Sequence, residues 1–565
     1  MKIILCAVNS AYYHKSLTNA ILLRELEKSS ECVCAEFSIN QSISQTVETL
    51  YELKGDIYMF SCYIWNIEFI RKVVSDLKKV TKCIVVLGGS EVAHSPRQIL
   101  ATIPETDYVV CCEAEAVIER VAAFISLKQS PDYLPNVYSH RTIHKSPLKS
   151  RFQFASRVFP YDEDYIKDNE DKIIYYESMR GCPYSCTYCL SSADRKVSFI
   201  SAEQTENELM FFINKKVKQV KFVDRTFNAD SERAKQIIRF ITENNICTNF
   251  HLEMRLDIMD DELISLLSAA PAGYFQIEAG LQSANPLTLA AVHRDCDLDR
   301  FSHALEKLRE PDNIHIHTDL IAMLPEETLR SFLSAFDFLY ELRPHTIQTG
   351  FLKLLKGTEL HAEAEMHGLI QSDYPPYEVL ASSTMTHREY NLLKKFEVIV
   401  KRFVNSGFFG TIFSRLISDY EMKPHALVLL LINYYSQHDL FRQAQSADQL
   451  FRTFSDFLRK HKLPYDSVLV FDYLKNVSLT LPDFLNESVK KLSGTDTADF
   501  IKANAEYLKS YESLKDLTEK QIFRKISVYK FDALFNEECF LFVDEQEKTA
   551  SGQKKHAVLQ NITTA

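Results

Sequence analysis

The sequence predicts an α/β protein in three parts: a doubly wound parallel sheet, an open barrel of six βα units, and a mostly helical carboxyl-terminal region. Apolar runs alternate with stretches of helical period over about the first 130 residues, and the same alternation returns between about 171 and 375. Beyond 375 the period is mainly helical. We therefore divide the chain into a first domain (1–130), a linker (131–170), a barrel (171–375), a helical domain (376–545) and a tail (546–565) that we expect to be disordered.

The composition is that of an ordinary globular protein. The chain has 565 residues, of which 46% are hydrophobic and 25% charged, so it should contain more than one core. A net charge of -11 argues against a general nucleic-acid binder, because binding to phosphates needs clustered Lys and Arg. With no long apolar run and no secretory pattern before the first strand, we expect no membrane segment and a cytoplasmic location. The 13 cysteines fit that reducing compartment.

The first domain reads as five βα units, with strands at KIILCAV, CVCAEFSI, DIYMFSCYI, CIVVLGG and YVVCC. Such units predict a flavodoxin-like or Rossmann-like sheet that binds its ligand at the carboxyl ends of the strands. The G-x-G-x-x-G fingerprint is absent, which disfavours NAD and FAD. The candidate ligand residues in the strand-end loops are Tyr13, Ser61, Tyr63, Trp65, Gly88, Gly89 and Glu113.

The barrel begins with the stretch YYESMRGCPYSCTYCLSS, which places Cys182, Cys186 and Cys189 at the spacing C-x3-C-x2-C. Three thiolates in eight residues can hold three corners of a cubane iron–sulfur cluster and leave the fourth iron open. The loop follows a strand, so it should lie at the active-site end of a barrel. A structural zinc site would need a fourth ligand, and no second cysteine pair follows nearby. Disulfides are disfavoured in a reducing compartment.

With Tyr188 before its last cysteine, this triad resembles that of the radical S-adenosylmethionine (SAM) superfamily. The resemblance implies a [4Fe-4S] cluster on Cys182, Cys186 and Cys189 whose open iron chelates SAM, so that an electron from the cluster cleaves SAM and yields a 5′-deoxyadenosyl radical. The motifs FVDRTFN, QIEAGLQS and HTDLIAMLPEET are similar to SAM-binding segments of the superfamily. They imply SAM contacts for the set Tyr188, Asp224, Glu278, Gln282, Ser283 and Pro325.

Two details of these motifs are left open. In the stretch AMLPEET, Met323 and Glu326 replace two glycines of the superfamily motif. Glu253 and Arg255 fall on one face of the third barrel strand, where they could either meet SAM or form an ion pair across the sheet.

Together with the triad, the first domain resembles the cobalamin-binding domain of B12-dependent radical SAM proteins. The resemblance implies that the corrin lies across the strand-end loops, with Gly88 and Gly89 in close approach. The D-x-H-x-x-G motif is missing, which implies a cobalt without a histidine ligand. Cys112 and Ala114 stand where relatives have glycines. The alternative is a domain without a cofactor, retained for packing or docking.

The resemblance implies methyl transfer to a poorly activated carbon. We expect a small-molecule substrate rather than a macromolecule, and a flavodoxin or ferredoxin as electron donor. A methylthiotransferase would need a second cysteine triad and a basic RNA-binding domain, and neither is visible. A non-catalytic cobalamin- or redox-sensing module stays open. The helical domain resembles one of uncharacterised role that follows the barrel in a subset of these proteins.

Overall fold

The structure is a computed structural model that describes residues 1–143, 152–193, 195–486, 489–509, 514–531, 539–548 and 554–559. Its first domain contains the strands β1 Lys2–Asn9, β2 Glu31–Ser38, β3 Ile57–Ser61, β4 Ile84–Gly88, β5 Tyr108–Val110 and β6 Val137–Tyr138. The helices of this domain are α1 Leu17–Leu26, α2 Ile43–Leu53, α3 Ile67–Val80, α4 Ser90–Ala93, α5 Pro96–Thr102 and α6 Ile118–Ser126.

These strands form one sheet in the order β2-β1-β3-β4-β5-β6. The first five are parallel, as the sequence predicts, and β6 pairs antiparallel with β5. Every residue of β3 is buried, because helices cover both faces of the sheet and a separate apolar cluster packs on each face. β6 lies in the segment predicted as a linker, so the first domain extends at least to Tyr138.

The second domain is the predicted open barrel. Its six principal strands are β7 Ile174–Tyr176, β10 Gln219–Phe222, β11 Asn249–Glu253, β12 Phe275–Gln282, β13 His315–Ala322 and β14 Thr346–Phe351. Two short pairs accompany them, β8 Met179–Arg180 with β9 Ser198–Phe199 and β15 Ile370–Gln371 with β16 Val379–Ala381. The helices of this part, beginning with the linker helix, are α7 Glu163–Asp168, α8 Ala202–Asn214, α9 Ser231–Asn244, α10 Asp261–Ser268, α11 Pro286–Ala291, α12 Leu298–Arg309, α13 Leu329–Glu341 and α14 Glu359–Ala362.

The six principal strands are all parallel and run in the order β7-β10-β11-β12-β13-β14. Burial alternates along β12, where Phe275 and Ile277 are buried while Gln276 and Glu278 are half-buried. The apolar residues pack in the main core with the helices, and the polar residues line the open interior.

The third domain is mostly helical, as predicted. It contains α15 His387–Ile399, α16 Gly410–Asp419, α17 Pro424–Gln437, α18 Ala447–Lys460, α19 Asp466–Asn476, α20 Gly494–Ala503, α21 Ala505–Lys509 and α22 Glu519–Lys525. A π-helical turn, Val400–Val404, continues α15. The domain ends in a small antiparallel sheet of β17 Lys490–Lys491, β18 Ile526–Lys530, β19 Cys539–Lys548 and β20 Lys554–Leu559.

The last strand corrects one prediction. The apolar runs IFRKISVYKFDALF and CFLFVDE predict a hairpin, and the structure pairs β18 with β19 as that hairpin requires. β20 falls in the tail that we expected to be disordered, yet it pairs with β19. Residues 549–553 and 560–565 of that tail lie outside the described residues.

Both edge strands of the open barrel are covered. On the β7 side, Ile173 forms a parallel bridge with His14 of the first domain. The Tyr175 hydroxyl also lies 2.5 Å from His14 Nδ1. On the β14 side, the amide of Asn405 donates to Ile347 O (2.8 Å) and accepts from Ile347 N (3.0 Å), as a neighbouring strand would. The first domain thus contacts one edge of the open barrel, and the third domain contacts the other.

Among the helices of the described ranges, none is long and apolar enough to span a bilayer.

Candidate functional site

The cysteine loop begins where β8 ends. Gly181 has a positive φ of 91°, a conformation that glycine adopts without a steric cost. Cys182 and Cys186 are buried, and Cys189 is half-buried. Cys182 Sγ lies 3.5 Å from the Thr226 hydroxyl. The loop therefore presents three thiol groups from a fixed turn at the strand end.

Two backbone hydrogen bonds and one arginine hold this loop in the barrel. Thr187 N donates to Val292 O (3.1 Å), and Leu360 N donates to Thr187 O (2.9 Å). Arg294 Nη1 lies 3.8 Å from Cys186 Sγ, and Nη2 donates to Gly280 O. Arg294 was not singled out in the sequence, since no spacing pattern connects it to the cysteines.

The thiol arrangement bears on the choice between zinc and a cluster. Within the described residues, no three His, Cys, Asp or Glu side chains converge on a point where one metal ion could be held. A structural zinc needs four protein ligands, whereas three thiolates are the donor set of a cubane with one open iron. The donor set of the loop therefore fits a cluster.

Asp224 has contacts other than those we predicted for a SAM ligand. It is fully buried, and its Oδ1 accepts from Ser178 N (2.8 Å) and Met179 N (3.0 Å). Its Oδ2 accepts from the Ser178 hydroxyl. Burial raises the pKa of Asp224 to about 7. Asp224 thus holds the strand that leads into the cysteine loop, and its predicted contact with SAM stays a prediction.

Gln282 and Ser283, predicted as neighbours on SAM, differ in the structure. Gln282 has a positive φ of 75°, and its side chain folds back over Gly280, where a Cβ would lie 1.9 Å from Nε2. Its Oε1 is buried with no hydrogen-bond partner in the described part of the chain. Ser283 instead donates to Glu327 Oε2 and is fully buried. Gln282 Oε1 can therefore accept a hydrogen bond from a ligand, whereas the Ser283 hydroxyl is hydrogen-bonded to Glu327 in the loop after β13.

That loop preserves the backbone of a glycine motif without its glycines. Met323 and Glu326 have φ values of 71° and 59°, in the left-handed region that favours glycine. Pro325 is buried between them. The two replacements noted in the sequence therefore leave the turn in place, at a steric cost of about 1 kcal/mol each.

Glu253 and Arg255 do not pair with each other, but both form ion pairs, and Glu253 does so with a residue that follows the neighbouring strand β10. The two alternatives left open for these residues stay open. Glu253 Oε2 lies 3.4 Å from Arg225 Nη1. Arg255 Nε donates to Asp257 Oδ1 (3.0 Å), and its guanidinium lies 4.0 Å from the centre of the Tyr184 ring. Arg255 Nη1 and Arg294 Nε are buried without a partner in the described residues.

These unpaired atoms supply a test of fit for SAM. An unpaired buried donor or acceptor costs about 1–3 kcal/mol, so such groups indicate a polar ligand. The acceptor Gln282 Oε1 and the donors Arg255 Nη1 and Arg294 Nε have the polarity that an ammonium, a carboxylate and hydroxyl groups require. The residues around the cysteine loop therefore fit SAM.

Glu278 lies deeper in the barrel, among basic groups. Its Oε2 accepts from His251 Nε2 (3.0 Å) and lies 3.2 Å from Lys221 Nζ. Burial opposes ionisation, but the hydrogen bond from His251 and the charge of Lys221 outweigh it and lower the pKa of Glu278 to about 2. The carboxylate is ionised and already paired, so its predicted role toward SAM ribose stays a prediction.

In the first domain, aromatic side chains project from the strand-end loops. Tyr13 and Trp65 are 52% and 47% exposed. Trp65 stacks on Tyr63 with ring centres 4.5 Å apart and planes 7° from parallel. Exposed aromatic faces of this kind fit a large flat ligand.

The two glycines of this edge have different reasons to be glycine. A Cβ on Gly89 would lie 2.5 Å from Cys62 O, and its φ is 109°, so Gly89 is required by the protein's own backbone. A Cβ on Gly88 would meet only Val110, at 3.9 Å. The protein's own backbone thus gives a reason for Gly89 but none for Gly88, and the predicted approach of a corrin to both glycines stays a prediction.

A small cavity of about 40 Å³ lies at the same edge and is lined by Ser61 and Gly88 among others. Beside it, the Ser61 hydroxyl donates to Asn19 Oδ1 (2.8 Å), and Asn19 Nδ2 is buried without a partner in the described residues. The cavity itself is far too small for a corrin, but the unpaired donor and the exposed aromatics fit cobalamin at this edge.

Arg180 joins the two domains, and the sequence analysis did not single it out as a functional residue. Its Nη1 donates to Glu113 (2.9 Å), and its Nη2 donates to Glu115 (2.9 Å) and Glu177 (2.7 Å). These carboxylates raise the pKa of Arg180 although burial opposes the charge. Glu113, predicted to contact cobalamin, thus ties the fifth strand-end loop to the residue two positions before Cys182.

Comparisons with known proteins agree with this organisation. Residues 5–122 match the model of the B12 binding domain, 176–339 that of the radical SAM superfamily, and 365–555 a protein of unknown function (DUF4080).

Two curated relatives and one solved structure illustrate the similarity. A 2-(S-pantetheinyl)-carbapenam-3-carboxylate methyltransferase of Streptantibioticus cattleyicolor is 26% identical over 314 residues, 51% of this chain and 45% of the relative. The cobalamin-dependent radical SAM methyltransferase TokK of Streptomyces tokunonensis is 23% identical over 57% of this chain and 51% of TokK. The chain thus spans about half the length of these relatives. The structure of the cobalamin-dependent radical enzyme OxsB with aqua-cobalamin superposes with a TM-score of 0.58 at 17% identity, over 82% of this chain and 76% of OxsB.

The matched segments follow one another in the same order as the parallel sheet, the open barrel with its cysteine loop, and the helical region. The chain is therefore a radical SAM protein with an amino-terminal B12-binding domain and a carboxyl-terminal domain of the family described as being of unknown function.

Proposed function

We propose that this protein is a cobalamin-dependent radical SAM methyltransferase that acts on a small molecule. The observation that carries the proposal is the Arg180 bridge, which brings the strand-end loop of the B12-binding domain and the cysteine loop of the barrel to one interface. Two cofactors that must react with the same substrate need such a shared interface. That the named relatives are methyltransferases supports the reaction class.

Each cofactor has a set of residues in this chain. Cys182, Cys186 and Cys189 would hold a [4Fe-4S] cluster. Gln282, Arg255 and Arg294 would bind the polar groups of SAM, with Tyr188 at the edge of the same loop. When bound, the cluster and SAM supply a radical and cobalamin supplies a methyl carrier, so the protein's own task is to bind, orient and shield.

The cobalamin set is the strand-end edge of the first domain. Tyr13, Tyr63 and Trp65 would cover the flat face of the ligand, Gly88 would allow its close approach, and Asn19 Nδ2 would donate to it. No histidine is expected on the cobalt, and the electron donor is expected to be a flavodoxin or ferredoxin.

The cysteines of the first domain argue against a methylthiotransferase, which would need a second cluster. Cys6 and Cys62 are fully buried, and burial raises the pKa of both thiols far above the ordinary range. Burial also raises the pKa of the half-buried Cys34 thiol, to about 12. Thiols buried in apolar surroundings are typical of structural cysteines rather than of metal ligands.

The proposal is tested by the cofactor content and products of anaerobically reconstituted protein. We expect about four iron atoms and one cobalamin per chain, with SAM converted to 5′-deoxyadenosine. Cys186→Ala should lose most of the iron and all SAM cleavage while cobalamin stays bound, because the two sites lie in separate cores. Cys247→Ala, which changes an exposed cysteine away from the loop, is the matched control.

Two results would contradict the proposal. Full iron and SAM cleavage in Cys186→Ala would remove the cluster assignment. Active SAM cleavage with no retained cobalamin in the parent protein would leave a radical SAM enzyme whose first domain is a scaffold.

A further inference from the structure

A large cleft lies along the β14 edge of the barrel, between that strand and α15 of the third domain. Its volume is about 840 Å³, within the range of sites that hold small molecules. Gly350 and Ile321 form its inner wall, and Lys394, Glu397 and Lys401 of α15 and the π-turn form its outer wall. The cleft is therefore built jointly by the barrel and by the domain of unknown function.

The cleft reaches the cysteine loop. Tyr188, the residue before Cys189, lines its inner end. A molecule in the cleft would lie next to the loop that holds the proposed cluster.

Three lysines and two glutamates line the cleft, and only some of these charged groups form ion pairs. Lys394 Nζ lies 2.8 Å from Glu378 Oε2, and the Tyr390 hydroxyl donates to the same carboxylate (2.8 Å). Glu378 is thus satisfied within the protein. Lys353 and Lys401 are exposed at the cleft and form no hydrogen bond or ion pair with a described side chain.

Glu397 is the remaining acid. It is half-buried, and its pKa is raised by burial although Lys394, Lys401 and Lys353 act against this rise. With Glu378 and Lys394 paired, two free ammonium groups face one carboxylate. The cleft therefore carries an excess of positive charge in a protein whose net charge is -11.

We propose that this cleft is the substrate site, that α15 of the third domain supplies its selectivity, and that the substrate is a small molecule with an anionic group, a carboxylate or a phosphate, bound by Lys353 and Lys401. The inference rests on the proposed function, since it assigns the substrate of the same site. It also gives the third domain a role, which is to complete the cleft that the open barrel leaves beside the cysteine loop.

The test measures anion binding rather than turnover. Inorganic pyrophosphate and citrate are titrated separately by calorimetry into the anaerobic holoprotein at low ionic strength. At least one probe should bind the parent, and Lys353→Gln/Lys401→Gln should weaken that probe at least tenfold. Lys395→Gln/Lys502→Gln is the matched control, because it removes two exposed charges that do not line the cleft. Glu397→Gln should tighten binding several-fold, since it removes the opposing charge.

The two probes distinguish the anion sources. Binding of pyrophosphate alone indicates a phosphate-bearing substrate, binding of citrate alone a carboxylate, and binding of both a general anion site. The proposal is overturned if neither probe binds, if the control pair weakens binding equally, or if saturating SAM displaces the probe and so places it in the SAM site. A failure of the proposed function would show instead as missing cobalamin or absent 5′-deoxyadenosine, neither of which enters the binding measurement.

Discussion

Asp224 and Gln282 lie in different surroundings, although both were predicted to bind SAM. Their positions in the motifs place both at strand ends, but motif position does not say whether a side chain turns toward the ligand or back into the protein. The three cysteines could be identified from spacing because their chemistry depends on residues close in sequence. Arg180 and Arg294 could not, since their partners lie far away along the chain.

At the residue scale we predict that Asp224→Ala loosens the cysteine loop. The change leaves the N–H groups of Ser178 and Met179 buried without an acceptor, which should lower the free energy of unfolding by about 2–4 kcal/mol. Iron content should fall with it, because the strand that leads to Cys182 is no longer held. Urea denaturation and iron analysis on the same preparation measure both effects.

Gln282→Ala is the comparison for that variant. Its Oε1 has no partner to lose in the described residues, so stability and iron should stay close to the parent while SAM affinity falls about tenfold. Unchanged stability and iron in Asp224→Ala would return Asp224 to the group of candidate SAM ligands.

At the scale of elements, hydrophobic periodicity predicted the strands of the barrel but not the strands that are defined by their pairing alone. The six βα units of the barrel were predicted, because buried strands of α/β proteins are apolar and follow turn residues. β6 and β20 were missed. A two-residue strand has no period, and β20 (KKHAVL) is defined by its pairing with β19 rather than by an apolar pattern.

The strand-end edge of the first domain yields a prediction about Gly88. Gly88→Val should fill open space beside Val110 and block the approach of cobalamin, while the fold and the iron content are retained. Equilibrium dialysis against hydroxocobalamin should show at least tenfold weaker binding. Gly89 does not serve this test, because any side chain there collides with the Cys62 backbone. Cobalamin binding of parental strength in Gly88→Val would place the corrin elsewhere.

A second prediction at this scale concerns pH and the junction of α16 with α19. Asp472 on α19 is buried and accepts from Thr411 N (3.2 Å) and Ile412 N (2.9 Å) at the start of α16. Burial raises the pKa of Asp472 to about 6 in the folded state, above its ordinary value of 3.8. Protonated Asp472 therefore stabilises the folded state. This stabilisation is fully present below about pH 4 and is lost as the pH rises through 6.

The loss amounts to about 3 kcal/mol for a shift of roughly two units. Asp472→Asn keeps an oxygen acceptor and cannot ionise, so it should remove this dependence. The free energy of unfolding of the variant relative to the parent should increase by about 2–3 kcal/mol between pH 4 and 7 in urea titrations. A constant difference over that range would show that Asp472 does not ionise with a raised pKa.

At the scale of the molecule, the three domains meet around the open barrel. The first domain contacts β7 through His14, and it also reaches the loop after β14. There Glu91 of α4 accepts from the Tyr377 hydroxyl (2.5 Å) and lies 3.8 Å from Lys356 Nζ. These contacts hold the B12-binding domain against the first strand of the barrel and against the loop that follows the last strand. No local sequence pattern predicts this arrangement.

A further contact between the first domain and the loop after β14 gives the last prediction. Gly357 has a φ of 91°, and a Cβ there would lie 2.3 Å from the His94 ring of the first domain. Gly273 has a similar φ of 83° with nothing within 4 Å. Both Gly→Ala changes pay the same backbone cost of about 1–2 kcal/mol, but only Gly357→Ala must also push the first domain away. Hydrogen exchange across residues 90–94 should therefore accelerate in Gly357→Ala and stay at the parental rate in Gly273→Ala, and adding His94→Ala to Gly357→Ala should restore protection. Equal exchange in the two single variants would mean that His94 turns aside freely and that this contact does not position the domains.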